Sequence, residues 1–387
     1  MHVSPAPTGV RTPRGPVRAA AAGLVCAVGL VVAPATASAA PAQPGPSCVV
    51  PSQSLSPEVP AAQAALAFER AWDLTRGRGV VVAVVDTGVD AEVPQFAGRF
   101  TAGPDLLRDE GAGTDCAGHG TFLAGIVAAA PASGSGFAGV APDAELVSVR
   151  YRDGRERGRT APPGAALRAA VDAGASVVLM GAPLPHGDGA VIDAVRYAEE
   201  RDVLVVTPGF TVAQGVVPSD SLPAALVSVA GLGAVPPSGR QTAGPFDVAA
   251  PALDVTSVSR VSGGAVRGSG LEMAAAFTAG TAALVRSYRP QLTAAQVKQR
   301  LLDTGVLPLE QYGPRVLDPL GAVATVLVEE PADGPRPDRT PLAGVQVPVD
   351  DGSTTRALAF TALAAVLALG LTIGAATVRA RRRRARA

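Results

Sequence analysis

Three histidines and three cysteines are all that this chain of 387 residues carries, with no net formal charge and no internal repeat. So few nitrogen and sulfur side chains leave no complete ligand set for a zinc-type centre, and neither a metal nor a cofactor is expected. Among the histidines, His2 belongs to a leader and His186 sits in the turn sequence Pro185-His186-Gly187-Asp188-Gly189. His119 is the remaining candidate for acid–base chemistry. The zero balance conceals a division, because the two ends hold many of the arginines and leave the stretch between them acidic. That excludes a nucleic-acid surface. The hydrophobic fraction of 48% is raised by alanine and by two apolar segments, not by many membrane spans.

Those segments locate the chain. Arg11, Arg14 and Arg18 precede an apolar run over 19–33, and Ala37-Ser38-Ala39 supplies small residues for cleavage, so 1–39 reads as a signal peptide. A second run, 357–378, has no charge and at ~1.5 Å per residue spans about 33 Å, enough for one transmembrane helix. Arg379, Arg381, Arg382, Arg383, Arg384 and Arg386 follow it, which places the tail 379–387 in the cytoplasm and the rest outside the plasma membrane. Gly370 and Gly374 form a small-xxx-small pair that would let such helices associate into a homo-oligomer. Cys26 leaves with the leader, so Cys48 and Cys116 remain as an even pair in an oxidising compartment. A disulfide between them would contribute roughly 4 kcal/mol in a chain-entropy account, before strain. Two free buried thiols are the alternative.

Between an N-terminal extension (40–70) and a Pro-rich linker (329–356), the segment 71–328 reads as one α/β domain. Val80 to Val85 is an unbroken run ending at Asp86-Thr87-Gly88, as in a strand buried on both faces. Further strands are predicted over 145–149, 176–180, 203–206, 225–230 and 246–249. Helical patterns alternate with them over 163–173, 190–200, 273–288 and 293–302. This alternation implies a parallel sheet with helices on both faces. Asp86, at the carboxyl end of its strand, stands where such sheets place their sites. Gly118-His119-Gly120-Thr121 opens a helix that runs through Val127.

The Asp-Thr-Gly and His-Gly-Thr motifs, in this order, resemble those of the subtilisin-like serine proteases, the subtilases. Gly268 to Gly280, with Leu271, Glu272 and Ala276, resembles their G-T-S-x-A-A-P-x-x-A-G block. The cysteine in the N-terminal arm, Asp115-Cys116-Ala117 before His119, Ala141-Pro142-Asp143-Ala144, the linker and the anchor resemble the mycosin branch, associated with type VII secretion. The resemblance implies a subtilisin-like fold in which Asp86 orients His119 as general base. It also sets Glu272 where the nucleophilic serine belongs and Phe210, in Val205-Val206-Thr207-Pro208-Gly209-Phe210, where an asparagine should donate to the oxyanion. The usual V-V-N-x-S-L strand reads Val177-Val178-Leu179-Met180-Gly181-Ala182.

Acyl transfer needs a hydroxyl nucleophile and oxyanion donors besides the imidazole and its carboxylate. Glu272 has no hydroxyl, and Phe210 has no side-chain donor. A pseudoprotease is therefore expected, with a structural role beside the subunits of a type VII secretion membrane complex and an extended peptide as a conceivable occupant of the cleft by strand addition. The competing reading is an active endopeptidase that uses another serine, Ser262, Ser269 or Ser287. Glu272, at a helix N-terminus, is expected to pair with a protonated His119. Asp86, His119 and Glu272 would also make an incomplete zinc or calcium set.

Overall fold

A computed structural model of the chain describes residues 48, 54–108, 111–155, 158–211, 222–233, 242–243, 246–260, 264–307 and 313–328. The expected signal peptide, linker, membrane helix and basic tail lie outside the described residues. Among the described residues no helix is long and apolar enough to cross a membrane.

The first strands are β1 (Val81–Asp86), β2 (Phe100–Asp105), β3 (Glu145–Arg150), β4 (Val177–Met180), β5 (Leu184–Pro185), β6 (Leu204–Thr207) and β7 (Phe210–Thr211). They are followed by β8 (Leu226–Leu232), β9 (Thr242–Ala243), β10 (Val248–Pro251), β11 (Val255–Val258), β12 (Ala265–Gly268) and β13 (Arg315–Val316). Eight of them form one sheet in the order β13-β10-β8-β6-β4-β1-β3-β2, and every pairing in it is parallel. Strand β1 lies inside this sheet between β3 and β4, which is why its sequence is unbroken Val and Ala: both faces must be apolar.

Successive β1 residues point to opposite faces and feed two cores. Val82 and Val84 pack with α2 (His119–Ala128) and α5 (Leu271–Tyr288), whereas Ala83 and Val85 pack with α3 (Pro163–Asp172) and α4 (Gly189–Glu199). Helix α5 is buried continuously from Met273 to Val285. A helix enclosed on all sides needs small residues to approach the sheet, and Ala274, Ala275, Ala276, Ala279, Ala282 and Ala283 supply them. The alanine content is thus a packing device.

The short helix α1 (Ala61–Leu66) and Phe68, read from sequence as part of the extension, are buried in the same core, with Phe68 6.4 Å from the Phe277 ring. The remaining helices are α6 (Ala294–Thr304) and α7 (Pro319–Ala324). Thr293 and Gln296 close a reciprocal capping box at the start of α6. The buried Arg300 donates from Nε to the Ala322 carbonyl and so fastens the two helices together.

Candidate active site

Asp86 and His119 come together because two turns interlock. Gly88 follows β1 and Gly120 opens α2, and a Cβ on Gly120 would fall 2.1 Å from the Gly88 carbonyl oxygen, so only glycine lets the segments meet. Asp115 ties them. Its Oδ1 accepts from Thr87 Oγ1 at 2.8 Å and from the Gly118 amide at 2.9 Å; its Oδ2 accepts from the Thr121 amide and hydroxyl, both at 2.8 Å. The amides lie at the start of α2, so the carboxylate serves as its cap. Burial pushes the Asp115 carboxyl up, and the hydrogen bonds from Thr121 and Thr87 only partly offset this.

Two further fastenings hold this loop. Arg150 is buried at the end of β3, where it pairs with Asp105 and donates to the Thr87 carbonyl at 2.9 Å and to Thr114 Oγ1 at 2.8 Å. The Cys48–Cys116 disulfide is formed, with its Cα atoms 4.9 Å apart. Cys48 also accepts from Arg260 at 2.8 Å through its carbonyl, and the disulfide sets it beside the loop that carries His119.

Asp86 is fully buried, and its Oδ2 meets Nδ1 of His119. A carboxylate only accepts, so the ring proton sits on Nδ1 and Nε2 is left as the acceptor. The Asp86 oxygen not bound to His119 is already taken. Oδ1 accepts from Nε of Arg152, whose Nη2 lies 3.0 Å from His119 Nδ1 and donates at 2.7 Å to the Gly181 carbonyl. Burial opposes ionisation of Asp86, yet His119 and Arg152 outweigh it and hold the carboxyl below its usual range. Burial likewise opposes charge on His119, but the attraction of Asp86 prevails and raises it. The imidazole stays partly open to solvent, 31% exposed.

Arg152 was absent from the residues singled out by sequence. The available signal was a cation just beyond β3, the strand that pairs with Asp86 through Arg150. Gly181 explains part of the altered strand after Val177. A Cβ there would lie 2.5 Å from Asp86 Cγ, so the missing side chain leaves room for the carboxylate.

Glu272 occupies the first turn of α5, half-buried, where the helix dipole favours an acid. It departs from the expected arrangement. Among the described residues no ion pair joins it to His119; its carboxylate folds back beside Gly270, 2.4 Å from where a Cβ on that glycine would stand. Its charge is still felt, as the last of several influences on His119 and Arg152. No group of three or more His, Cys, Asp or Glu side chains among the described residues is placed to hold a metal ion.

Phe210 follows β6 at the position named for the oxyanion donor, but its ring is buried with Leu184 and Val205. His186, read as an exposed turn residue, is half-buried and stands edge-on to Phe210 at 6.1 Å. The other serines lie elsewhere. Ser269 Oγ accepts from the Asp254 amide at 2.9 Å, and Ser287 donates to the Arg78 carbonyl at 2.8 Å from the far end of α5, about 22 Å from Glu272 along the helix. Ser262 lies outside the described residues.

A parallel sheet with Asp86 at the end of a central strand, His119 opening the next helix, and a long buried helix beginning at the third corner of the site defines a subtilase. The chain belongs to the subtilase family, and the model of that family matches residues 77–208. Within the family its relatives include the mycosins. It is 34% identical to Mycosin-3 of Mycobacterium tuberculosis over 85% of each chain. Among solved structures it is similar to the serine protease MycP1, an essential component of the type VII (ESX-1) secretion system, at 27% identity and a TM-score of 0.59 over 71% of this chain and 92% of that one. It is also similar to a chain of an intact ESX-5 inner membrane complex, at 26% identity and a TM-score of 0.59 over 85% of this chain and 92% of that one.

Proposed function

We propose that this chain is a membrane-anchored mycosin whose site does not cut peptides and whose work is structural, within a type VII secretion membrane complex. The observation that carries the first half is Glu272. Peptide cleavage requires a hydroxyl at the start of α5 able to pass its proton to Nε2 of His119; a carboxylate has no such proton to pass, and attack by it would give an anhydride. In a working subtilase, loss of the nucleophile costs roughly a millionfold in kcat, enough by itself to end useful proteolysis. Phe210 compounds the loss, since a missing oxyanion donor costs ~100 to 1,000-fold on its own. The bonded positions of Ser269 and Ser287 weigh against a displaced nucleophile.

The second half is supported by the extent of the likeness to the chain of the ESX-5 inner membrane complex, which covers 85% of this chain. A domain outside the membrane, joined through 329–356 to a helix over 357–378, suits such an assembly. The test uses the full chain purified in detergent. A fluorophosphonate probe should leave it unlabelled, while co-purification from its own membranes should recover secretion-channel subunits. Stoichiometric labelling would make it a working serine hydrolase and end the pseudoprotease reading. Recovery of the chain alone from gently solubilised membranes would end the scaffold reading.

A further inference from the structure

The guanidinium of Arg152 has no place in acyl-transfer chemistry, yet it holds the buried carboxylate on which His119 depends. Nε binds Asp86 Oδ1, and Nη2 donates to the Gly181 carbonyl at 2.7 Å while lying 3.0 Å from the protonated Nδ1 of His119. The side chain is 25% exposed and is held through Nε and Nη2. Asp86 is completely enclosed, so nothing from solvent can displace this partner.

In a working triad the aspartate holds the ring proton on Nδ1 and stabilises the imidazolium that forms as Nε2 takes the proton of the nucleophile. That stabilisation depends on a negative charge not already neutralised. Here the charge is shared with a permanent cation, and the imidazolium would form 3.0 Å from a guanidinium nitrogen. We infer that Arg152 is a positioning residue that takes over Asp86 and disarms His119 independently of Glu272 and Phe210. The site is then a closed ion cluster, and a serine restored at position 272 would face a weakened base. This deepens the pseudoprotease reading and rests on it.

Three charged groups face His119: Asp86 at the end of β1, Arg152 beyond β3 and Glu272 at the head of α5. Only Arg152 disfavours the imidazolium among them, so its removal has one expected sign. The test follows the His119 ring by NMR in histidine-labelled full chain in detergent, for which three histidines in the sequence make assignment tractable. Arg152→Ser should raise the titration midpoint of His119 by about one unit or more relative to the natural chain. A midpoint unmoved in a variant of unchanged melting temperature overturns the inference.

A second arm reads reactivity. Fluorophosphonate labelling of Glu272→Ser is compared with that of Arg152→Ser, Glu272→Ser, both at their high-pH plateaus. The doubly substituted chain should label at least ~10-fold faster, a lower bound for what general-base assistance supplies. Equal, measurable rates overturn the inference; if neither chain labels, the titration decides. Labelling of the natural chain itself would instead strike the pseudoprotease reading and leave the Arg152 titration as an independent result.

Discussion

Asp86, Thr87, Asp115 and His119 make one group of site residues, and Phe210 and Glu272 make another. The first group is bound into a single network: Asp115 accepts from both motifs, Thr87 Oγ1 receives the Gly120 amide at 3.0 Å, and the Thr121 hydroxyl receives that of Asp90 at 3.0 Å. These residues serve the fold as much as any chemistry, because they satisfy backbone groups that burial would otherwise leave unpaired. In the second group the residues that a protease would need there, a serine and an asparagine, have purely chemical duties. Phe210 has instead joined the core, and Glu272 lies half-exposed at a helix end. The two groups thus answer to different forces, hydrogen bonding of buried backbone in the first and core packing or a helix end in the second.

The comparison breaks first at Asp115. Replacement by Ala orphans four donors, two of them amides at the start of α2, and should cost about 4 kcal/mol of stability. Urea denaturation of the full chain in detergent measures it. A loss below about 1 kcal/mol would mean that the network is ornamental and the two groups are alike.

Next come the two altered positions, which should separate sharply. Phe210→Asn removes a buried ring and introduces a polar group beside Leu184, at an expected cost of about 3 to 4 kcal/mol and a melting temperature lowered by roughly 10 °C. Glu272→Ser loses only a favourable charge at a helix end, about 1 kcal/mol or less. Comparable losses at the two positions would show that Glu272 has a structural role which its geometry does not reveal.

The smallest effect is a dependence on pH. Asp86 is held below its usual range, so its contribution is present above the unfolded carboxylate value, about 3.9, and is lost only as acid passes the lower folded value. His119 is raised, so its contribution is complete below about 6.5 and fades as pH climbs through the folded value. Stability of the natural chain should therefore decline gently above neutrality. Asp86→Asn should abolish that decline by removing the partner that holds the imidazolium, as thermal melts across the pH range would record; a slope unchanged in this variant would place its origin elsewhere.

Much of this architecture was readable in one dimension. Parallel strands buried on both faces must be continuously apolar and β-branched, which marks β1, β3, β4 and β6 to within a residue or so. The edge strand β2 escaped because Gly103 and Pro104 interrupt it, a pair tolerated at the edge of the sheet, where the register slips between Ala102 and Asp105. The start of α6 was legible at Thr293, whereas Phe68 fell within the expected N-terminal extension and lies in the core.

The sequence by itself determined which functional groups stand at positions 210 and 272, because a side chain without a hydroxyl or an amide cannot supply one in any fold. It also determined the order of the motifs and, through the spacing of apolar residues, the α/β alternation. Only the tertiary structure decided how those positions are used: that Phe210 turns into the core, that Glu272 folds back on its own helix, and that Arg152 pairs with Asp86 beside Gly181. Local pattern specifies the elements through forces that act within a few residues. The partner of a buried charge is chosen by strands that meet far apart in the chain, such as the Asp86 and Arg152 ends of two neighbouring strands.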